Sequence, residues 1–431
     1  MAFSAEQRAA FEAACAQVDA GVLRRLTIEA VNTPSPTGAE EALAEHFRAS
    51  FACAGVDAEL QYYRGGANVR AVRRGDGSGP ALMLYAPIDM HIDGDARDMP
   101  WLDVGTRPDL RPAADTDGDY VIGLGADNPK GHAVCVALAL QAIERAGVPL
   151  RGDLIAALGG GGMPVDANDS RPAGHGTGAK HLLASGERPD VAVIAKPGAA
   201  VAYEEVGLCW FELTVHGSYN YAGGPPRPNA RNAIVDAATL VTGLQAWFPQ
   251  YTLRNTSGLV APNGTIGAVA GGWPNKPAFL PEVTKVYIDL RISPRTDPAD
   301  AARQLEEALN EIRAVQPGLT CTCRLVRAVP GTTTPAGHWI VGSAVRAWEF
   351  AHGRPHAWRT GTSGATDANS LRAHGIPTAR VGMAPLPLDA PYAGRFSMGV
   401  VSVSAMERLT KLLIAIAIDT CMRTRTEVGI G

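Results

Sequence analysis

The side chains of this sequence that stand where chemistry is expected are acids and a lysine, not a serine or cysteine nucleophile. Pro87-Ile88-Asp89 closes the apolar run Ala81 to Ala86, Gly159 to Met163 follows the run Leu154 to Leu158, and Lys196 follows Val191 to Ala195. Each run reads as a buried strand, and in parallel α/β sheets reactive groups sit just beyond the carboxyl ends of the strands. A partly buried lysine there can serve as a base or stabilise developing negative charge, and an aspartate beside it can relay a proton. Other chemistries lack their parts. The glycines at 159–162 are not followed by the Lys-Ser/Thr of a phosphate loop, and no Gly-x-Ser-x-Gly elbow occurs. His91-Ile92-Asp93 spells a metal-binding pair but falls past the strand end, and His132, His175 and His181 are scattered singly. The seven cysteines show no CxxC spacing and read as small buried apolar residues.

The elements that must hold these residues alternate strand and helix. Residues 5–30 and 39–55 have helical periodicity, broken by Thr33-Pro34-Ser35-Pro36-Thr37. A helix is expected from Lys130 to Ala146, between the strands Val121 to Leu124 and Leu154 to Leu158, which implies a largely parallel sheet covered on both faces. From Val206 the pattern changes to strands around 209–215 and 285–291, with helices over 232–247 and 298–314. That segment, 206–328, reads as an α+β unit inserted into a first domain made of 1–205 and 329–431. Helices at 340–350 and 402–423 and a strand near 376–382 close the first domain. A chain of 431 residues, 46% hydrophobic, has the length for two cores. Its net charge of −4 and lack of basic runs argue against nucleic acid or an anionic membrane as partners. No stretch is apolar enough to span a bilayer and the start lacks signal-peptide character, so a cytoplasmic protein with a small-molecule substrate is expected.

Several blocks, taken together, resemble a known family. They are Pro87-Ile88-Asp89, then Gly123-Leu124-Gly125-Ala126-Asp127-Asn128-Pro129-Lys130-Gly131, then Gly176-Thr177-Gly178-Ala179-Lys180. In the inserted segment they are Val215-His216-Gly217, Asn232-Ala233-Ile234, Gly271-Gly272 with Asn275, and Asp289-Leu290-Arg291. Thr366-Asp367-Ala368 and Gly375-Ile376-Pro377 complete the series. In this order, from about residue 20 to 415, they are similar to the binuclear zinc aminoacylases and carboxypeptidases, which include acetylornithine deacetylase and succinyl-diaminopimelate desuccinylase. The resemblance implies a mixed, mainly parallel α/β catalytic domain sandwiched by helices, with an inserted α+β lid that pairs two chains into a homodimer.

The resemblance also locates the family's metal ligands, and here those positions carry other residues. The first histidine is Pro87, with the orienting aspartate kept as Asp89. The bridging aspartate is Asn128, the glutamate pair falls at Gly162 and Met163, the next carboxylate is Lys196, and the last histidine falls at Arg395. The lid histidine aligns with Tyr221. Zinc takes imidazole, thiolate and carboxylate donors, which proline, glycine, methionine, lysine and arginine do not supply. No zinc pair and no other cofactor is therefore expected. The expected activity is hydrolysis of an amide or ureido C–N bond in a small carboxylate-bearing compound. Lys196, Asp89, Asp127 and Tyr221 are the expected catalytic groups, and Arg395, Asn128, Asn232, Arg291 and Thr366 the expected substrate contacts. The alternatives are an inactive homologue that binds a ligand or partner, and a metal-dependent peptidase with displaced ligands such as His91 and Asp93.

Overall fold

The computed structural model describes residues 3–163, 175–225, 227–393 and 398–430. They form two compact units. The first comprises 1–203, 334–359 and 366–431, and the second 204–333 with 360–365.

In the first unit, strands β1 (Asp57–Tyr63), β2 (Gly66–Arg73), β3 (Leu82–Pro87), β4 (Leu154–Gly159) and β5 (Val191–Ala195) join a late strand, Thr378–Val381, in one six-stranded sheet. β1, β2 and β4 run antiparallel in turn, while β4, β3, β5 and Thr378–Val381 are parallel neighbours. The parallel strands β3, β4 and β5 carry no charged residue and are buried at every position because both faces are covered. Leu82, Leu84 and Ala86 enter the large core with the helices Lys130–Arg145 and Val403–Cys421, whereas Met83 and Tyr85 enter the core on the opposite face with Leu182 and Leu371. This period-2 division of one strand between two cores is the packing reason for the three layers.

The second unit has its own four-stranded antiparallel sheet, ordered Gly264–Gly271, Val283–Ile292, Gly207–His216, Thr320–Val329. Alternate residues Val286, Ile288 and Leu290 pack with Phe211 and Leu213 against the helices Ala233–Asn255 and Pro298–Val315.

The mixed sheet and helix layers agree with the expected fold class, and several elements differ in detail. The first helical stretch is two helices, Ala5–Cys15 and Ala20–Val31, because Asp19 caps a new start by accepting from the Val22 N–H. The hairpin of β1 and β2, and the strands Gly264–Gly271 and Thr320–Val329, are further additions. Their charged and small residues mask the alternation, as the largely exposed Gly264–Gly271 shows. The helix expected to stop at 247 runs to Asn255. All seven cysteines are free thiols. Cys135, Cys209 and Cys421 are buried as expected, but Cys53 is exposed. Among the described residues, no helix is long and apolar enough to cross a membrane.

Candidate active site

The carboxyl ends of β3, β4 and β5 bring three loops together in the first unit. The Pro-rich segment before the helix Glu41–Cys53 is tied onto the first of them. The Ser35 hydroxyl donates to the Ile88 carbonyl at 2.8 Å, the Met90 N–H to the Ser35 carbonyl at 2.9 Å, and the Thr37 N–H to the Met90 carbonyl at 2.8 Å. Asp89 is thereby carried wholly into the interior. Its Oδ2 accepts from the Thr37 hydroxyl and from the Met163 N–H, each at 2.8 Å, so this aspartate fixes the loop that follows β4. Its Oδ1 is buried with no hydrogen-bond partner among the described residues.

At the end of β5, Lys196 is 8% exposed, and its ammonium donates to Asn128 Oδ1 at 2.8 Å. The Asn128 amide in turn reaches the Met398 thioether at 3.4 Å. Asn128 is held where it is by the start of the helix Lys130–Arg145. Lys130 is fully buried and donates to the Ala30 and Thr33 carbonyls, both at 2.8 Å, while burial pulls its ammonium down to about 7. One turn on, His132 sits between the Asp127 carbonyl, 2.7 Å from Nδ1, and the Met383 N–H, 3.3 Å from Nε2. Since an N–H must donate, Nε2 accepts and Nδ1 carries the proton, and burial holds the imidazole neutral, its value lowered to about 3.

Asp127 lies just before these two anchors in the chain. Its side chain is 19% open, and burial raises its carboxyl to about 7, against the pull of nearby Lys196. A carboxyl poised near neutrality beside a buried ammonium has the properties of a proton-transfer group.

Behind the loops lies a further acid, Glu40, that the sequence did not single out. Glu40 is fully buried, and its Oε1 accepts from the N–H groups of Gly38 at 2.9 Å and Gly161 at 2.8 Å. Burial, and then the field of Asp89, raises it to about 7. Tyr63 lies against it: a Cβ placed on Gly66 would come within 2.7 Å of Glu40 Oε2 and 2.5 Å of Tyr63 Oη. Across the sheet end the buried Tyr85 hydroxyl donates to Asp367 Oδ2 at 2.8 Å. A side chain on Gly162 would press on that same oxygen, its Cβ 2.8 Å away. Asp367 stands in the motif Thr366-Asp367-Ala368, whereas the only trace of Glu40 in the sequence is its place two residues beyond Gly38, where capping residues are common.

The remaining expected residues are placed as follows. Thr366 stands at the start of the helix Ala368–Ala373, where its hydroxyl accepts from the Ala368 N–H at 3.2 Å. In the second unit, Tyr221 is 51% exposed and packs on Phe279, with ring centroids 5.2 Å apart. Asn232 caps the helix Ala233–Asn255 by accepting from the Ile234 N–H at 3.0 Å. Arg291 pairs with Asp289 at 2.9 Å on the wall of a cavity of about 790 Å³. Arg395 lies outside the described residues. The structure thus brings Lys196, Asn128 and Asp127 to one place in the first unit, with Asp89 bracing the adjoining loop.

The donor set at these strand ends does not fit a zinc pair. Lys196 Nζ is hydrogen-bonded to Asn128 where a bridging carboxylate would be needed, and Gly162 supplies no ligand side chain, a Cβ there already meeting Asp367 Oδ2 at 2.8 Å. Among the described residues, no three His, Cys, Asp or Glu side chains are grouped so as to hold one metal ion. Asp93, from the displaced pair, is instead 3.3 Å from Arg97.

Comparison with known proteins assigns the architecture. Residues 203–315 match the M20 family described as a peptidase dimerisation domain. An M20 family metallo-carboxypeptidase from Sulfolobus solfataricus superposes with a TM-score of 0.66 at 14% identity, covering 91% of this chain and 97% of that one. Human carnosine dipeptidase 1 gives 0.68 at 14% identity, with 96% and 99% covered. A hydantoinase/carbamoylase family amidase from Burkholderia ambifaria gives 0.61 at 16% identity, with 95% and 98% covered. At such identities the likeness establishes the fold, which runs through nearly the whole length of each chain.

Proposed function

We propose that this chain, built on the M20 peptidase fold, is a hydrolase of C–N bonds that works without the zinc pair. Its substrate is a small carboxylate-bearing amide or ureido compound. The observation that carries the reading is the contact of Lys196 Nζ with Asn128 Oδ1, a buried cation at the strand end that the family resemblance assigns to a metal ligand. An ammonium held in a water-poor pocket stabilises negative charge on a carbonyl oxygen more strongly than it would in water. Asp127, raised to about 7, exchanges a proton with the attacking water or the leaving nitrogen. Asp89 holds the Met163 loop in place, and Arg395 clasps the substrate carboxylate. Thr366 is a further substrate contact in the first unit, and Tyr221, Asn232 and Arg291 of the inserted unit keep the donor and contact roles that the resemblance implies. The match of residues 203–315 to a dimerisation domain supports a homodimer as the working form, and the proposed compartment is the cytoplasm.

The test is a screen of small amides, ureido acids and cyclic imides for release of acid or ammonia, on protein analysed for metal and assayed before and after chelation. Turnover that survives chelation and falls about a hundredfold in Lys196→Ala is the expected result, matching the loss of one charge-stabilising donor. Two equivalents of tightly held zinc, with activity lost on chelation, would overturn it.

One observation favours a second reading, a silent homologue that binds its ligand without turning it over. The general-base glutamates have no counterpart at Gly162 and Met163, and Asp89 Oδ2 is already taken by Thr37 and Met163. Under that reading Lys196→Ala weakens ligand affinity and there is no turnover to lose.

A further inference from the structure

A cavity of about 280 Å³ opens beside Asp127 in the first unit. Its walls are Met383, Leu386, Val400, Val401 and Ala405, and its polar side chains are those of Asp127 and Ser402. The Ser402 hydroxyl is already engaged: it donates to Asp119 Oδ2 at 2.5 Å and accepts from the Ala405 N–H at 3.1 Å. The Asp127 carboxyl has no hydrogen-bond partner among the described residues. The neutral His132 imidazole, with Nδ1 3.9 Å away, is beyond hydrogen-bond range of it, and that nitrogen gives its proton to the Asp127 carbonyl at 2.7 Å. A largely enclosed carboxyl with no hydrogen bond is costly unless something supplies one. Among the described residues, no other charged side chain lines the cavity. A cavity of about 150 Å³ holds a benzene molecule, so this one has room for a branched aliphatic or phenyl group.

We infer that this cavity is the subsite for the amine half of the substrate, with the nitrogen at Asp127 and an uncharged aliphatic or aromatic group against Met383, Leu386 and Val401. The inference rests on the hydrolase reading for what it calls a half-substrate. It adds that the leaving amine is apolar beyond its nitrogen.

Calorimetric titration of the whole protein with three amines tests it: 3-methylbutylamine, ethylamine and 1,4-diaminobutane. The expected result is that 3-methylbutylamine binds at least tenfold tighter than either of the others. Asp127→Asn weakens all three, while Ala405→Leu weakens 3-methylbutylamine at least tenfold and leaves ethylamine unchanged. Ala405 lies in the first turn of a packed helix, so Leu386→Trp, in the loop on the opposite wall, serves as a second filling variant. Equal affinity for the three amines, no binding by any, or full 3-methylbutylamine affinity in a folded filling variant overturns the inference. The readout is binding, so selective amine binding without hydrolysis of any amide sinks the hydrolase reading and leaves the subsite standing.

Discussion

Glu40 has one oxygen on two backbone N–H groups and the other buried with no partner among the described residues, which makes its charge expensive to keep. Its folded-state value, about 7, lies above the ordinary 4.5, so the folded protein binds more protons than the unfolded chain between those limits. Its contribution therefore turns against folding as the pH rises through that window. Glu40→Gln keeps the acceptor for Gly38 and Gly161 and removes the charge. Relative to the parent, this variant gains stability from pH 5 to pH 8 by up to about 3 kcal/mol, from roughly 1.4 kcal/mol per pKa unit. Paired thermal melts across that range check it, and a gap that stays constant with pH rules it out. Lys130 runs the other way: its lowered value makes the folded state more stable as the pH rises above about 7. Total stability against pH therefore mixes opposing groups, and only paired variants separate them.

At the scale of elements, the Thr33 to Thr37 segment is a strap that fixes the end of β3 through Ser35 and Thr37. Thr37→Val keeps the shape and removes the hydroxyl, leaving Asp89 Oδ2 one bond short in a dry place. The expected loss is about 1–3 kcal/mol of folding stability, read by denaturant titration. A second prediction concerns the loop after β4. Gly162→Glu, which puts back a carboxylate where the zinc family has one, meets Asp367 with its Cβ at 2.8 Å. It is expected to break the Tyr85–Asp367 contact and destabilise the protein without creating a zinc site. Zinc titration monitored by calorimetry, alongside a melt, checks both parts.

At the scale of the whole molecule, each unit has its own apolar core, and the two are joined by several passes of the chain. The match of residues 203–315 to a peptidase dimerisation domain makes a stable dimer the expected assembly. Sedimentation equilibrium at micromolar concentration should return twice the mass of one chain, and a monomer there would count against the match as a guide to assembly. The second unit's sheet ends in a strand, Gly264–Gly271, that is mostly exposed along its length. Open strand edges invite pairing with another chain, so Val269→Lys on this strand is the variant to compare in the same measurement.

Local pattern alone was enough for the strands Leu82–Pro87, Leu154–Gly159 and Val191–Ala195 and for the helix Lys130–Arg145, because a strand buried on both faces must be apolar at every position. The same pattern put Asp89 and Lys196 at strand ends, and the collinear motifs supplied the architecture. What tertiary structure decided is which distant residues meet: Thr37 and Asp89 are 52 positions apart, Asn128 and Lys196 68, Tyr85 and Asp367 282. It also decided which charges lose their water. Glu40 looks like any other acid in the sequence, and although the motif around Asp127 marked that residue, the raised values of both come from burial by surrounding chain that periodicity does not report. Secondary structure follows from the spacing of neighbours along the chain, whereas desolvation is a sum over everything that packs around a group, and that sum exists only once the chain has folded.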